Sequence, residues 1–189
     1  MSRLKTIRRQ DFTPAQEQLF HNIATGKRGQ GASADSFLGP EGGMRGPFNA
    51  LLYSPILGDA VQRVGEAVRY EGTLPGQLRE LAILTVAGYW QAKYEWWAHA
   101  NIARKLGMDE AIIAGVEAGA LPDSAESAQH MIFDFARELL ETHHVSDARY
   151  TAAVEMFSES MVAELVILLG YYTLISMTLN VFEVAAPEE

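Results

Sequence analysis

The stretch LPGQLRELAILTVAGYWQAKYEWWAH, residues 74–99, decides the fold predicted for this chain. Its first half opens at Leu74-Pro75 and is apolar on nearly every side from residue 78 to residue 87, which is typical of a buried helix. Gly88 weakens that helix, and a second one carries residues 95–106 and closes at Gly107. A buried helix followed by an amphipathic one indicates a helical core.

Helix start and stop signals continue on both sides of this stretch, whereas strand alternation is almost absent. Thr13-Pro14 predicts a helix to about residue 24, and Ser54-Pro55 predicts one to about residue 69. Further helices are predicted over residues 109–118, 124–141, 146–157 and 161–182. The sequence therefore predicts an all-α, single-domain bundle of seven or eight helices over residues 1–189.

Two segments of the N-terminal part carry more detailed expectations. In the helix at 55–69 an apolar stripe at helical spacing, Leu57, Val61, Val64 and Val68, predicts the buried face. Residues 26–47 hold seven glycines and two prolines, which predicts a long irregular loop. That loop is either a flexible surface excursion or a cover for a pocket or a neighbouring subunit.

The last predicted helix contains 18 uncharged residues, Leu165 to Phe182. A membrane-spanning helix needs about 20 predominantly apolar residues, so the length alone is close. Several polar residues interrupt the run, acidic Glu164 and Glu183 flank it, and no Lys or Arg follows to set an orientation. We therefore predict a buried C-terminal core helix and no membrane span.

Composition excludes several classes of function. Fifteen Lys and Arg against 24 Asp and Glu give a net charge of −9, which argues against sequence-independent binding to nucleic acid. The chain has no cysteine, which excludes disulfides, thiolate metal sites and thiol peroxidase chemistry. The lack of cysteine, with no apolar run after the basic N-terminus, fits a cytoplasmic protein.

The candidate chemistry lies in the two central helices. Glu95 and His99 are four residues apart and neighbour each other on a helix, on or beside its apolar face. A carboxylate beside an imidazole fixes its tautomer and raises its basicity, which suits general acid–base catalysis. Arg79 and Glu80 add a charged pair near the start of an otherwise apolar helix, and such an Arg can bind a substrate carboxylate. The alternative is a set of structural ion pairs that hold the helices together.

Taken together, Arg79-Glu80, Glu95-Trp-Trp-Ala-His99 and the Ala-Arg-Lys-Leu-Gly ending at 107 resemble the core of the carboxymuconolactone decarboxylase and alkylhydroperoxidase D-like superfamily. The resemblance is strongest over residues 70–119. It implies that residues 71–189 are the family core and that residues 1–70 are the variable N-terminal portion of longer members.

The resemblance also separates two branches of that superfamily. In the peroxidase branch a Glu, a Cys-x-x-Cys pair and a His act together, and here Ala92 and Glu95 occupy the two cysteine positions. The chain is therefore closer to the cysteine-less decarboxylase branch, whose members act without cofactors on a lactone that carries a carboxylate.

This branch implies a cofactor-free lyase acting on a small carboxylated lactone or ring compound. His99, Glu95 and Glu80 would be its acid–base residues, and no metal is expected. Substrate-binding positions would be Arg79, Tyr94, Trp96 and Tyr171, although each aromatic ring on its own could equally be core packing. The alternative function is a non-catalytic helical module that binds a small ligand or forms an oligomer. The resemblance further implies a homo-oligomer, a dimer, trimer or hexamer.

Overall fold

The computed structural model describes residues 2–31 and 37–187, and within these ranges it contains ten α-helices and no β-strand. The all-α prediction is confirmed, and eight of the helices are longer than six residues, as the sequence indicates. The helices are α1 (Pro14–Thr25), α2 (Lys27–Gly31), α3 (Pro47–Leu52), α4 (Pro55–Tyr70), α5 (Gly76–Tyr89), α6 (Lys93–Lys105), α7 (Glu110–Ala118), α8 (Ser127–Thr142), α9 (Asp147–Phe157) and α10 (Glu159–Val181).

Contacts within the chain define two compact units. One comprises Met1–Gly72 together with Thr178–Glu189, and the other comprises Thr73–Met177. The boundary between them lies close to the one that the sequence analysis draws between its variable portion and its core. That the chain is a single domain stays a prediction.

In the N-terminal unit, α1 begins with the capping box that its sequence predicts. The Thr13 hydroxyl accepts from the backbone N–H of Gln16, and the Gln16 side chain accepts from the backbone N–H of Thr13 at 2.8 Å. Buried side chains from α1, α3 and the segment between α2 and α3 form one hydrophobic cluster: Leu19, Ile23, Phe37, Met44, Leu51 and Leu52.

The buried face of α4 differs from the predicted stripe. Leu57 and Val64 are 68% and 43% exposed, and the helix buries Gly58, Gln62 and Gly65 instead. A Cβ atom at Gly58 would lie 2.6 Å from the Leu51 carbonyl oxygen, so only glycine permits this close approach. The stripe prediction is therefore wrong for Leu57 and Val64, whereas Val61 is half-buried and packs against the hydrophobic cluster. Close backbone packing at Gly58, and not hydrophobicity alone, selects the face of this helix.

The segment predicted to be an irregular loop at 26–47 is more ordered than expected. It holds α2, a 3₁₀ turn at Pro40–Gly42 and an antiparallel bridge between Leu38 and Met44. Phe37 and Met44 lie in the hydrophobic cluster, and this apolar anchoring outweighs the glycine content. Residues 32–36 of the predicted loop lie outside the described residues.

The second unit is arranged around α5, which packs against α6, α7 and α8. Every residue of α5 from Glu80 to Ala87 is buried, as its uniformly apolar sequence predicts. The following helices begin and end at expected signals, with Asp109 capping α7 and Gly119 ending it in a left-handed conformation at φ +81°. Helix α8 begins at Ser127, later than the predicted start at residue 124, because Glu126 and Gln129 form the capping box.

Helix α10 is buried along one side only. The inward positions include Leu165, Leu168, Tyr172 and Ile175, whereas Ile167 and Met177 are 55% and 48% exposed. The helix is long and apolar enough to cross a membrane by length and composition, and 44% of its most apolar 18-residue window is buried in the protein. The prediction of a buried C-terminal helix therefore holds for one face of α10.

Candidate active site

The site is assembled where the start of α5 meets α6. Glu80 lies in the first turns of α5 and is fully buried, and the turn at Gln91, with φ +50°, reverses the chain so that α6 packs against α5. Glu95 and His99 lie one helical turn apart on the side of α6 that is buried. The packing of two consecutive helices thus brings three ionisable side chains together.

His99 is held between two carboxylates. Its Nδ1 atom lies 2.5 Å from Glu80 Oε2, and its Nε2 atom lies 3.2 Å from Glu95 Oε1. The side chains of Glu80, His99 and Glu95 are 0%, 3% and 6% exposed. Both ring nitrogens can donate to carboxylates only when the ring carries two protons, so this geometry favours the imidazolium form.

Glu80, His99 and Glu95 form a triad, and its electrostatics agree with this geometry. Burial by itself lowers the pKa of His99, but the charges of Glu80 and Glu95 and their hydrogen bonds outweigh it, so the pKa is raised above its ordinary value of 6.5. A raised pKa favours the protonated ring, which places a buried proton donor beside two carboxylates.

Arg79 extends the triad toward the surface. Its Nε atom lies 3.6 Å from Glu80 Oε1, which is too long for a hydrogen bond but within the range of an ion pair. The Arg79 side chain is 18% exposed, the largest exposure among the four charged groups. Two carboxylates, one imidazolium and one guanidinium sum to zero, which limits the cost of burying these charges.

The aromatic positions named in the sequence analysis occupy different surroundings. Tyr94 is buried against Trp97, with ring centroids 5.7 Å apart, and Trp96 packs beside Gly88. Tyr171 contacts Tyr172 at a centroid distance of 5.1 Å.

The ring that contacts His99 is that of Tyr172, at a centroid distance of 5.0 Å and an interplanar angle of 84°. Tyr172 is not among the site residues predicted from the sequence. Its position at helical spacing from Leu165, Leu168 and Leu169, all of which are buried, is the signal that could have identified it.

A surface cleft of about 270 Å³ lies elsewhere, in the N-terminal unit between α1 and α4. Its polar side chains are Gln18, Asn22, Asp59 and Arg63, and none of the triad lines it. In the parts of the chain that the structure describes, no group of three or more His, Cys, Asp or Glu side chains is arranged to hold a metal ion. This cleft is therefore not part of the candidate acid–base site.

Comparison with known proteins supports the resemblance seen in the sequence. Residues 55–138, a little under half of the chain, match the model of the carboxymuconolactone decarboxylase family. A search of curated proteins gives no significant match.

Solved structures add evidence on the fold. The fold is similar to that of an alkylhydroperoxidase AhpD core protein, described as an uncharacterized peroxidase-related protein, from Ralstonia eutropha; the TM-score is 0.77, with 18% identity over 99% of this chain and 93% of that one. It is also similar to an uncharacterized peroxidase-related protein from Silicibacter sp., with a TM-score of 0.65 and 14% identity over 74% of each chain. At these identities the likeness establishes the fold alone.

Proposed function

Because residues 55–138 carry the carboxymuconolactone decarboxylase family match, on an alkylhydroperoxidase D-like fold, we propose that this chain is a cofactor-free lyase that uses His99 as a proton donor. Its substrate would be a small carboxylated lactone or ring compound. The observation that carries the proposal is the position of the His99 ring between Glu80 and Glu95, with its pKa raised.

The thiol route of the peroxidase-related branch is closed to this chain. The chain has no cysteine, so it has no thiolate to attack a peroxide and no disulfide to recycle. Glu95, which stands at one of the two cysteine positions, instead brings a carboxylate to His99 Nε2 at 3.2 Å. A carboxylate thus stands where members of the peroxidase branch have a thiol, and with His99 it forms the proposed acid–base pair.

The proposed reaction uses each charged group in a separate role. Arg79, the most exposed of the four, binds the substrate carboxylate. The bond between the ring carbon and the carboxylate breaks, its electron pair is delocalised into the ring carbonyl, and CO₂ leaves. His99 then delivers its Nε2 proton to a carbon of the delocalised anion. Glu95 afterwards relays one proton from the solvent to Nε2, so the reaction takes up one solvent proton for each CO₂ released.

Within this scheme Glu80 is a positioning residue. Its short contact with Nδ1 orients the ring and keeps it protonated on that nitrogen, so the Nε2 proton is the one that is transferred. Glu95 must move away from Nε2 for a substrate carbon to approach, since both ring nitrogens are occupied in the structure.

A second candidate function is favoured by the burial of the triad. With exposures between 0% and 6%, the three side chains equally suit a structural lock between α5 and α6 in a non-catalytic helical module. The two functions differ in turnover: only the enzyme must convert a carboxylated ligand next to His99, whereas the module binds a small ligand or a second copy without converting it.

The discriminating experiment is a turnover assay with carboxymuconolactone and related lactone acids in metal-free buffer. Wild type is compared with His99→Gln and with the matched control His144→Ala, a histidine that is exposed near the end of α8. We expect a loss of roughly 10²-fold or more in His99→Gln, the usual contribution of a general acid, and no change in the control.

Two outcomes would contradict the proposed lyase function. Equal turnover in wild type and a folded His99→Gln variant overturns the role of His99. If wild type turns over none of these substrates, the non-catalytic module is the better description, and a lactone acid that shifts its melting temperature identifies it as a ligand-binding one.

A further inference from the structure

A space beside the first turn of α5 is bordered by the charged end of Arg79 and by an apolar side chain. A Cβ atom added at Gly76 would lie 3.7 Å from Arg79 Nη2, and 3.4 Å and 3.8 Å from the two Cδ atoms of Leu106. The guanidinium and the Leu106 methyl groups therefore border the same point above the Gly76 backbone. Gly76, Arg79 and Leu106 are called the α5 groove below.

Leu106 is fixed in the α5 groove through its backbone. It ends α6, and its carbonyl oxygen accepts a hydrogen bond from Gln77 Nε2 at 2.8 Å, which ties the end of α6 to the first turn of α5. Leu106 is nevertheless 42% exposed. An exposed leucine held beside a guanidinium provides an apolar wall next to a group that orients a ligand by its charge.

The fold does not require glycine at position 76. The nearest contacts of an added Cβ are ordinary van der Waals distances, and Gly76 is not among the glycines with positive φ. The Arg79 Nε atom is buried and makes no hydrogen bond among the described residues, so a ligand reaches this guanidinium at its Nη atoms. The missing side chain at Gly76 leaves room for that approach.

No second cation is positioned to share a ligand with Arg79. Within residues 73–177, all of which the structure describes, three other cations form ion pairs: Arg104 with Glu110, Arg137 with Glu141, and Arg149 with Asp134. The remaining two, Lys93 and Lys105, are exposed. Each is six residues from His99, which places it about 120° around α6 from the imidazole.

The charge of this part of the chain acts in the same direction. Residues 73–177 hold six Lys and Arg against fourteen Asp and Glu. A negative potential lowers the local concentration of anions, and it acts more strongly on a dianion than on a monoanion. Arg79 compensates one carboxylate of a ligand, whereas a second carboxylate in the α5 groove would lie against the Leu106 side chain without a partner.

We infer that the substrate of the proposed lyase is a monocarboxylate, an uncharged ring whose departing carboxylate is its only charged group. The carboxylate pairs with the Arg79 Nη atoms above Gly76, and the ring lies against Leu106. This substrate class rests on the proposed lyase function and narrows it, since carboxymuconolactone carries two carboxylates, one on the ring and one on an acetate arm.

Turnover of two matched lactones tests the substrate class. Carboxymuconolactone is compared with the same lactone in which a methyl group replaces the acetate arm, so that only the ring carboxylate remains. We expect the kcat/KM of wild type to be about 10-fold or more higher for the monocarboxylate, because its charge is fully paired.

A substitution at Leu106 tests the same preference in the opposite direction. Leu106→Lys supplies the missing second cation at an exposed position, and it should remove or reverse the preference for the monocarboxylate. Leu106→Gln is the matched uncharged control. It should weaken binding of both lactones and keep the preference.

A substitution at Gly76 tests the groove itself. Gly76→Ala places a methyl group 3.7 Å from Arg79 Nη2, and it should raise KM for the monocarboxylate about 10-fold or more without lowering the melting temperature. Gly88→Ala, at the other end of α5, is the matched control. Its added Cβ also meets an ordinary contact, 3.5 Å from the Trp96 ring, and it should leave KM unchanged.

The outcomes separate the substrate class from the lyase function. An equal or higher kcat/KM for carboxymuconolactone would overturn the monocarboxylate class and leave the lyase function standing. If neither lactone turned over, the lyase function would fail and ligand binding would decide. A melting-temperature increase that is larger with the monocarboxylate and is lost in Gly76→Ala would then support the α5 groove as a monocarboxylate site, and no such increase would overturn it.

Discussion

Glu80 and His99 are 19 residues apart in the chain, and their side chains meet at 2.5 Å between Oε2 and Nδ1. Each lies on a different helix, so the contact exists only because α5 and α6 pack against each other. The pair is fully buried, and it fixes both the orientation and the protonation of the imidazole. The proposed chemistry and the stability of this region therefore depend on the same contact.

Removing the imidazole should destabilise the fold strongly. His99→Ala leaves the buried Glu80 and Glu95 carboxylates without their shared cation, and breaking a buried ion pair in this way costs about 3–5 kcal/mol. The free energy of unfolding from urea titration measures the effect. His144→Ala, at an exposed position, should change it by less than about 0.5 kcal/mol. Similar values for the two variants would contradict the ion-pair geometry.

The stability of the protein should fall as pH rises through the folded-state pKa of His99. That pKa is raised above 6.5, so the folded state holds the proton more tightly than the unfolded chain does. The stabilising contribution is fully present below about pH 6.5 and is lost as pH rises through the raised value. Unfolding measured from pH 6 to 10 should show this decline in wild type and not in His99→Gln. Parallel curves for the two proteins would refute the raised pKa.

Arg79 should affect substrate affinity more than the chemical step if the proposed lyase function is correct. Its side chain is the most exposed of the four charged groups, and its Nε atom lies 3.6 Å from Glu80 Oε1. Arg79→Gln is expected to raise KM about 10-fold or more with a smaller change in kcat, because Arg79 pairs with the carboxylate of the bound substrate and that charge is lost as CO₂ leaves. A fall in kcat at constant KM would instead give Arg79 a role in catalysis. Arg63→Gln, at an exposed position of α4, is the control.

Tyr172 should contribute more to the stability of the fold than the exposed Tyr150 does. It is 2% exposed and its ring contacts both His99 and Tyr171, so Tyr172→Ala leaves a cavity that costs about 3–5 kcal/mol. Tyr150→Ala, at 47% exposure on α9, should cost less than about 0.5 kcal/mol. The comparison uses thermal unfolding of both variants, and equal melting temperatures would disprove the assigned burial.

The inward face of α4 can be tested by two small substitutions. Gly58→Ala adds a methyl group 2.6 Å from the Leu51 carbonyl oxygen and should cost about 1–3 kcal/mol, because the helices must move apart. Leu57→Ala removes a side chain that is 68% exposed and should change stability by less than about 0.5 kcal/mol. If Leu57→Ala destabilised the protein more than Gly58→Ala, the buried face of α4 would be the one predicted from hydrophobicity.

The all-α class and most helix ends were predictable, because they depend on local signals. Thr13 with Gln16, Asp109 and Gly119 each act within a few residues of their own position, and the capping hydrogen bonds formed as expected. The proximity of Glu95 and His99 was predictable for the same reason, since four residues make one helical turn. Zero cysteines excluded thiol chemistry without any structure.

The remaining features required the packing of helices against one another. Only tertiary structure decided that Glu80 contacts His99, that Tyr172 and not Tyr171 lies against the imidazole, and that α4 turns its glycines inward. Only tertiary structure also left one side of α10 exposed. The physical reason is that a helix fixes the relative positions of its own side chains. Its rotation about its axis, and the partners it meets, depend instead on how closely two backbones can approach.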